Sequence, residues 1–179
     1  MIEFFFDCSS PWTWLAFHNI QPIAREFAVE VRWRPVLVGG IFNAVNPSVY
    51  EFRERGVPAK QAYAMKDLRD WARKAGLDIR FPPSVFPVNS VKAMRGCILM
   101  SDEGRLVPFA SAVFEAYWSH DQDISDDSVL AALSERVGME PARLLLSFDR
   151  DKVTGNCGEM MGEIWNYEFG ITNEDECVS

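Results

Sequence analysis

Two hydrophobic periods follow one another at the start of the chain. Residues 2–7 (Ile-Glu-Phe-Phe-Phe-Asp) form a short, aromatic-rich apolar run of strand length. Cys8-Ser9-Ser10-Pro11 comes next. Trp12, Ala16, Ile20, Ile23 and Phe27 then recur at spacings of three and four, predicting a helix with these residues on its inner face. Ser10-Pro11 marks the start of that helix, because serine can cap it while proline fills the first position, where no N–H is needed. Val29, Val31 and Trp33 alternate with Glu30, Arg32 and Arg34, as in a strand with one wet face, and Pro35 ends it. Strand, helix and strand at this spacing predict a right-handed βαβ unit with its strands parallel.

From Val36 to about Asp149 the pattern is helical. Residues 38–57, with Gly39-Gly40 and Asn46-Pro47, read as a long loop. Ala59 to Ala75 reads as a helix closed by Gly76, with Ala62, Met65, Leu68, Ala72 and Ala75 as its inner stripe. A proline-rich turn, Phe81 to Pro87, leads to Asn89, the expected N-cap of a helix that carries Val91, Met94 and Ile98 and ends near Gly104. Further helices are predicted over Val107–Trp118, Asp126–Val137 and Pro141–Phe148. Beyond them, Ile164 to Thr172 reads as one strand and the acidic ending Asn173-Glu174-Asp175-Glu176 as a frayed tail.

The 179 residues suffice for one domain, or for one domain carrying a large insertion, and 48% hydrophobic with 25% charged residues is ordinary for a globular chain. Lys and Arg number 18 against 26 Asp and Glu, a net charge of −8, which disfavours nucleic acid or an anionic membrane as partner. Residues 1–6 lack the basic start of a signal peptide, and no run approaches the roughly 18 apolar residues of a membrane span. A cytoplasmic protein is expected. The four cysteines, Cys8, Cys97, Cys157 and Cys177, include no C-x-x-C pair, and only His18 and His120 could join them as ligands. No metal site or dithiol centre is expected, and the thiols read as reduced and mostly buried.

Candidate chemistry concentrates at Ser10. A helix start offers unpaired N–H groups and the positive end of the dipole, a setting that stabilises a thiolate, and a serine there can donate a hydrogen bond to it. Taken on the local pattern alone, the same residue reads first as a plain cap of its own helix.

Phe6-Asp7-Cys8-Ser9-Ser10-Pro11-Trp12-Thr13-Trp14-Leu15-Ala16 resembles the opening of the 2-hydroxychromene-2-carboxylate isomerases, relatives of kappa-class glutathione transferases and of DsbA-type thioredoxin-like proteins. Ser10-Pro11-Trp12-Thr13 stands where the DsbA branch has C-P-x-C, so this turn lacks both redox cysteines and cannot run dithiol exchange. The stretches Gly39–Pro47, Lys60–Ala72, Phe86–Arg95 and Trp118–Asp126 resemble further motifs of that family in the same order, so the likeness covers roughly residues 2 to 150.

The resemblance implies a thioredoxin-like (DsbA-type) α/β fold with a large all-helical insertion. The expected parts are residues 1–38 as the first βαβ half, 39–149 as the helical insertion and 150–179 as a divergent C-terminal part. Its C-terminal strands are expected to be atypical or incomplete, because no proline follows Pro141 and the family's G-V-P pattern is missing. The implied activity is a glutathione-dependent isomerisation of a small aromatic-degradation intermediate, with Ser10 holding the thiolate of the cofactor glutathione. Asn46 and Lys60 are implied as further glutathione ligands and Asn89 and Arg95 as substrate ligands; Lys60 also reads as an exposed helix start, Asn89 as a cap and Arg95 as a surface ion-pair partner. A kappa-type glutathione transferase and a non-catalytic glutathione- or peptide-binding module are the alternatives. The partner expected is a small-molecule substrate, and a homodimer is compatible with the family.

Overall fold

The computed structural model of the chain describes residues 1–40 and 57–148. Its elements run β1 (Ile2–Phe6), α1 (Pro11–Glu26), β2 (Val31–Pro35), α2 (Pro58–Ala75), α3 (Val91–Asp102), α4 (Leu106–Trp118), α5 (Asp127–Arg136) and α6 (Pro141–Leu146). The two strands pair in parallel, Ile2 opposite Val31 and Phe6 opposite Pro35, as the βαβ reading requires. Glu3 and Arg34 meet at 2.8 Å on the wet face. Phe4, Phe6 and Trp33 turn toward the helices.

Helix α1 buries a different face from the one its spacing suggested. Trp12, Ile23 and Phe27 are 42%, 50% and 68% exposed, whereas Pro11, Trp14, Leu15, Phe17 and Ala24 are buried. The helix carries two apolar stripes, and the aromatic cluster decides between them. Phe17 lies 5.3 Å from Phe6, 4.5 Å from Trp33 and 5.3 Å from Phe114, while Trp14 stacks on Phe114 at 6.2 Å. Buried aromatic area of this size outweighs the smaller Ala16–Ile20 stripe.

Helix α2 ends as expected, with Gly76 in the left-handed region at φ 71°. Its stripe is buried only toward the C-terminal end, where Leu68 and Ala72 pack on Leu15; Ala62 is exposed. Helix α4 is buried on nearly every side, from Leu106 to Trp118, and forms the centre of the helical layer. Helix α3 packs against it where Gly96 leaves room: a Cβ there would sit 2.8 Å from the Phe109 ring.

The cap of α3 is displaced by one residue from expectation. Ser90 occupies the cap position without a side-chain bond, while the Asn89 carboxamide oxygen accepts the Val91 N–H at 3.0 Å from one position earlier. Helix α5 has a side-chain cap, Asp126, which accepts the Ser128 N–H at 2.7 Å. No helix of the described residues is long and apolar enough to cross a membrane. The expected C-terminal part, 150–179, and the loop carrying Asn46 lie outside the described residues.

Candidate functional site

The turn between β1 and α1 is held from several directions. Ser10 has extended backbone, φ −116° and ψ 122°, and its Oγ accepts the Thr13 N–H at 3.3 Å, the geometry of a capping residue. Its carbonyl accepts the Trp14 N–H at 3.2 Å. Pro11 has no N–H, so among the first-turn donors the Trp12 N–H is the one that neither helix nor cap uses. The Ser10 hydroxyl, already an acceptor toward Thr13, keeps its own hydrogen for a partner outside the helix. No acidic side chain stands in the first turn of α1. Hydroxyl, amide and dipole together are donors and a field that would favour an anion placed at this turn.

Behind the turn lies a dry, sulfur-rich layer. Cys8 is fully buried, its N–H on the Met94 sulfur at 3.4 Å and its carbonyl accepting the Trp118 indole N–H at 3.0 Å. Burial pushes the Cys8 thiol well above its ordinary pKa, helped by a hydrogen bond with the neighbouring Cys97 thiol and by the charges of Cys97 and Asp7. Both thiols are free and buried, as expected for reduced structural cysteines, and Cys8 is protonated at neutral pH. Cys157 and Cys177 lie outside the described residues. Among the described residues no group of His, Cys, Asp and Glu could hold a metal ion.

The other predicted residues do not all gather around Ser10. Lys60 stands exposed in the first turn of α2. Asn89 is exposed and engaged with Val91. Arg95 is half-buried and donates from Nη1 to the Phe148 carbonyl at 2.8 Å. His18 and His120 both line a cavity of about 400 Å³ between α1 and α4, with Trp14 and Phe17 at its floor and Asp78 and Glu115 on its walls. Ser10 is not among its lining residues.

Asp7 and Trp118 hold the turn, and their clamping contacts were not anticipated from the sequence. Asp7 entered the sequence reading as the end of an apolar run and as part of the Phe6–Ala16 resemblance, with no role given to it; a carboxylate at a buried strand end is the signal that could have raised it. Tyr117, beside Trp118, donates its hydroxyl to the Val85 carbonyl at 2.8 Å, and burial, with Asp123 and Asp121 nearby, raises its pKa well above that of a free phenol.

A DsbA-like thioredoxin domain matches residues 1–162. The chain belongs to the DsbA-like thioredoxin family. This DsbA-like chain is 25% identical to a 2-hydroxychromene-2-carboxylate isomerase of Pseudomonas putida, over 78% of the chain and 66% of the relative, so it spans just under two thirds of that enzyme. It is 24% identical to rat (Rattus norvegicus) glutathione S-transferase kappa 1, over 96% of the chain and 78% of the relative. A solved structure of a 2-hydroxychromene-2-carboxylate isomerase superposes with a TM-score of 0.72 at 22% identity, covering 96% of this chain and 83% of that one. The fold is therefore thioredoxin-like with helices added to a small sheet, as the sequence predicted.

Proposed function

We propose that this protein is a glutathione-dependent isomerase of a small conjugated aromatic-degradation intermediate, of the 2-hydroxychromene-2-carboxylate type. One observation carries the reading: Ser10 caps α1 with its Oγ on the Thr13 N–H and leaves a hydroxyl hydrogen and the Trp12 N–H for an anion. The donor set fits a thiolate, since it is neutral, preorganised and clear of first-turn carboxylates. Bound glutathione would supply a sulfur nucleophile that can add to a conjugated double bond and leave again.

The protein's part is to hold that sulfur deprotonated and oriented. Ser10 donates to it, and the first-turn amide and dipole lower the cost of its charge. Asn46 and Lys60 are proposed to hold the peptide and carboxylate groups of glutathione, and Asn89 and Arg95 to meet the substrate. An ammonium suits a carboxylate as a point charge and a guanidinium suits it bidentately. Cys8, buried and protonated, takes no part as a nucleophile. Conjugation by a kappa-type transferase is the second reading, favoured by the longer match to the rat kappa 1 enzyme. Product analysis separates the two: an isomerase returns free glutathione, whereas a transferase keeps it in the adduct.

Calorimetry of glutathione binding in buffers of different ionisation enthalpy tests the site. The wild type is expected to release a proton on binding, and Ser10→Ala to lose most of that release with affinity reduced about tenfold or more. Equal proton release from both proteins would remove Ser10 from the chemistry.

A further inference from the structure

Asp7 is 1% exposed, yet it carries a carboxylate. Its Oδ1 accepts the Ser9 N–H at 2.8 Å, and its Oδ2 accepts the Val38 N–H at 2.9 Å. Its backbone carbonyl accepts the Ser10 N–H at 3.3 Å. One side chain thus joins the residue just before Ser10 to the chain that leaves β2, 31 positions away. Burying a carboxylate is costly, and a neutral alternative exists in asparagine. Asparagine, however, has one acceptor oxygen and one donor amide, so it can satisfy one of these two N–H groups and must confront the other with a second donor. Only a carboxylate accepts both.

We propose that Asp7 is a positioning residue: its two oxygens staple the Ser10 turn to the segment following β2 and so fix the Ser10 hydroxyl and the Trp12 N–H in one arrangement for the bound anion. The inference rests on the reading of Ser10 as the thiolate site. Around the staple, the Cys8 carbonyl is held by the Trp118 indole and the Cys8 N–H by Met94. Those two contacts tie the turn to the helical layer; Asp7 ties it to the segment that follows β2. Preorganisation of this kind is what lets a hydroxyl and an amide stabilise charge without reorganising.

Charge and geometry pull in opposite directions at this position, which makes the inference decidable. A negative carboxylate near Ser10 opposes a thiolate there, so removing its charge alone would lower the thiol pKa of bound glutathione. Loosening the turn would raise it. The experiment follows thiolate absorbance of bound glutathione in the ultraviolet against pH, for wild type, Ser10→Ala, Asp7→Asn and Val38→Pro. Val38 is the first residue of a helical stretch, where proline is tolerated, and Val38→Pro deletes the N–H that Oδ2 accepts while leaving the Asp7 charge in place. Circular dichroism checks that each variant is folded.

The expected result is a raised bound-thiol pKa in Ser10→Ala, Asp7→Asn and Val38→Pro alike, with glutathione binding weakened about five- to tenfold in the two staple variants. A lowered or unchanged pKa in Asp7→Asn and Val38→Pro, with Ser10→Ala still raised, overturns the staple and leaves the Ser10 reading standing. A wild type that binds no glutathione, or binds it with an ordinary thiol pKa, overturns both.

Discussion

Cys8 shows how far one residue's surroundings set its chemistry. It sits two positions from Ser10, on the same turn, yet its thiol is fully buried beside that of Cys97 and stays protonated, while Met94 and Trp118 bind its backbone. The consequence for stability has a definite sign. The unfolded chain gives up this proton near pH 9.0, and the folded protein keeps it to higher pH. Cys8 therefore contributes stability that is fully present below about pH 9 and lost as the pH rises toward its folded value. Urea unfolding between neutral and alkaline pH is expected to show this decline in the wild type and a shallower one in Cys8→Ala. An identical slope in both would locate the alkaline instability elsewhere. Ser10 itself was legible from the chain, because a serine before a proline after an apolar run is a local signal. Its supports were not, because the partners of residues 7 and 8 lie 31, 86 and 110 positions away.

Among the elements, α1 separates what periodicity can and cannot say. The existence, start and approximate length of the helix follow from Ser10-Pro11 and the repeat of apolar residues. The choice of buried face does not, because Trp14 and Phe17 gain their burial from Phe6, Trp33 and Phe114 on three other elements. Paired substitutions test the assignment. Phe17→Ala is expected to cost about 3–5 kcal/mol of folding free energy, and Phe27→Ala no more than about 0.5 kcal/mol, by urea denaturation. Comparable losses from both would mean that the outer stripe of α1 is also packed. Helices α3 and α4 illustrate the reverse case, in which a residue outside the apolar pattern, Gly96, sets how closely two helices approach, since a Cβ there would press on the Phe109 ring and the Leu144 side chain.

In the whole molecule, the described residues form one large core around α4 and a small satellite of Leu15, Leu68 and Ala72 beneath α2. Local stability should follow that division. Native-state hydrogen exchange is expected to find the α4 amides opening only with global unfolding, and those of α2 opening at lower free energy, independently of denaturant at low concentrations. Equal protection of the two helices would show that α2 is bound into the core more firmly than its buried side chains indicate. The order of the elements, the parallel strand pair and the helical layer were readable from pattern and resemblance, because each rests on local spacing. Which residues of different elements face one another was not, because that depends on contacts between distant parts of the chain.

The bond from the Trp118 indole to the Cys8 carbonyl spans 110 positions of sequence. A ribosome adds about 5–20 residues per second. The turn that presents Ser10 is therefore made early and completed late: roughly 5 to 20 seconds pass between synthesis of Cys8 and synthesis of the side chain that clamps it. Throughout that interval the nascent chain carries a cysteine whose burial is not yet finished, open to oxidants and electrophiles that the folded protein excludes.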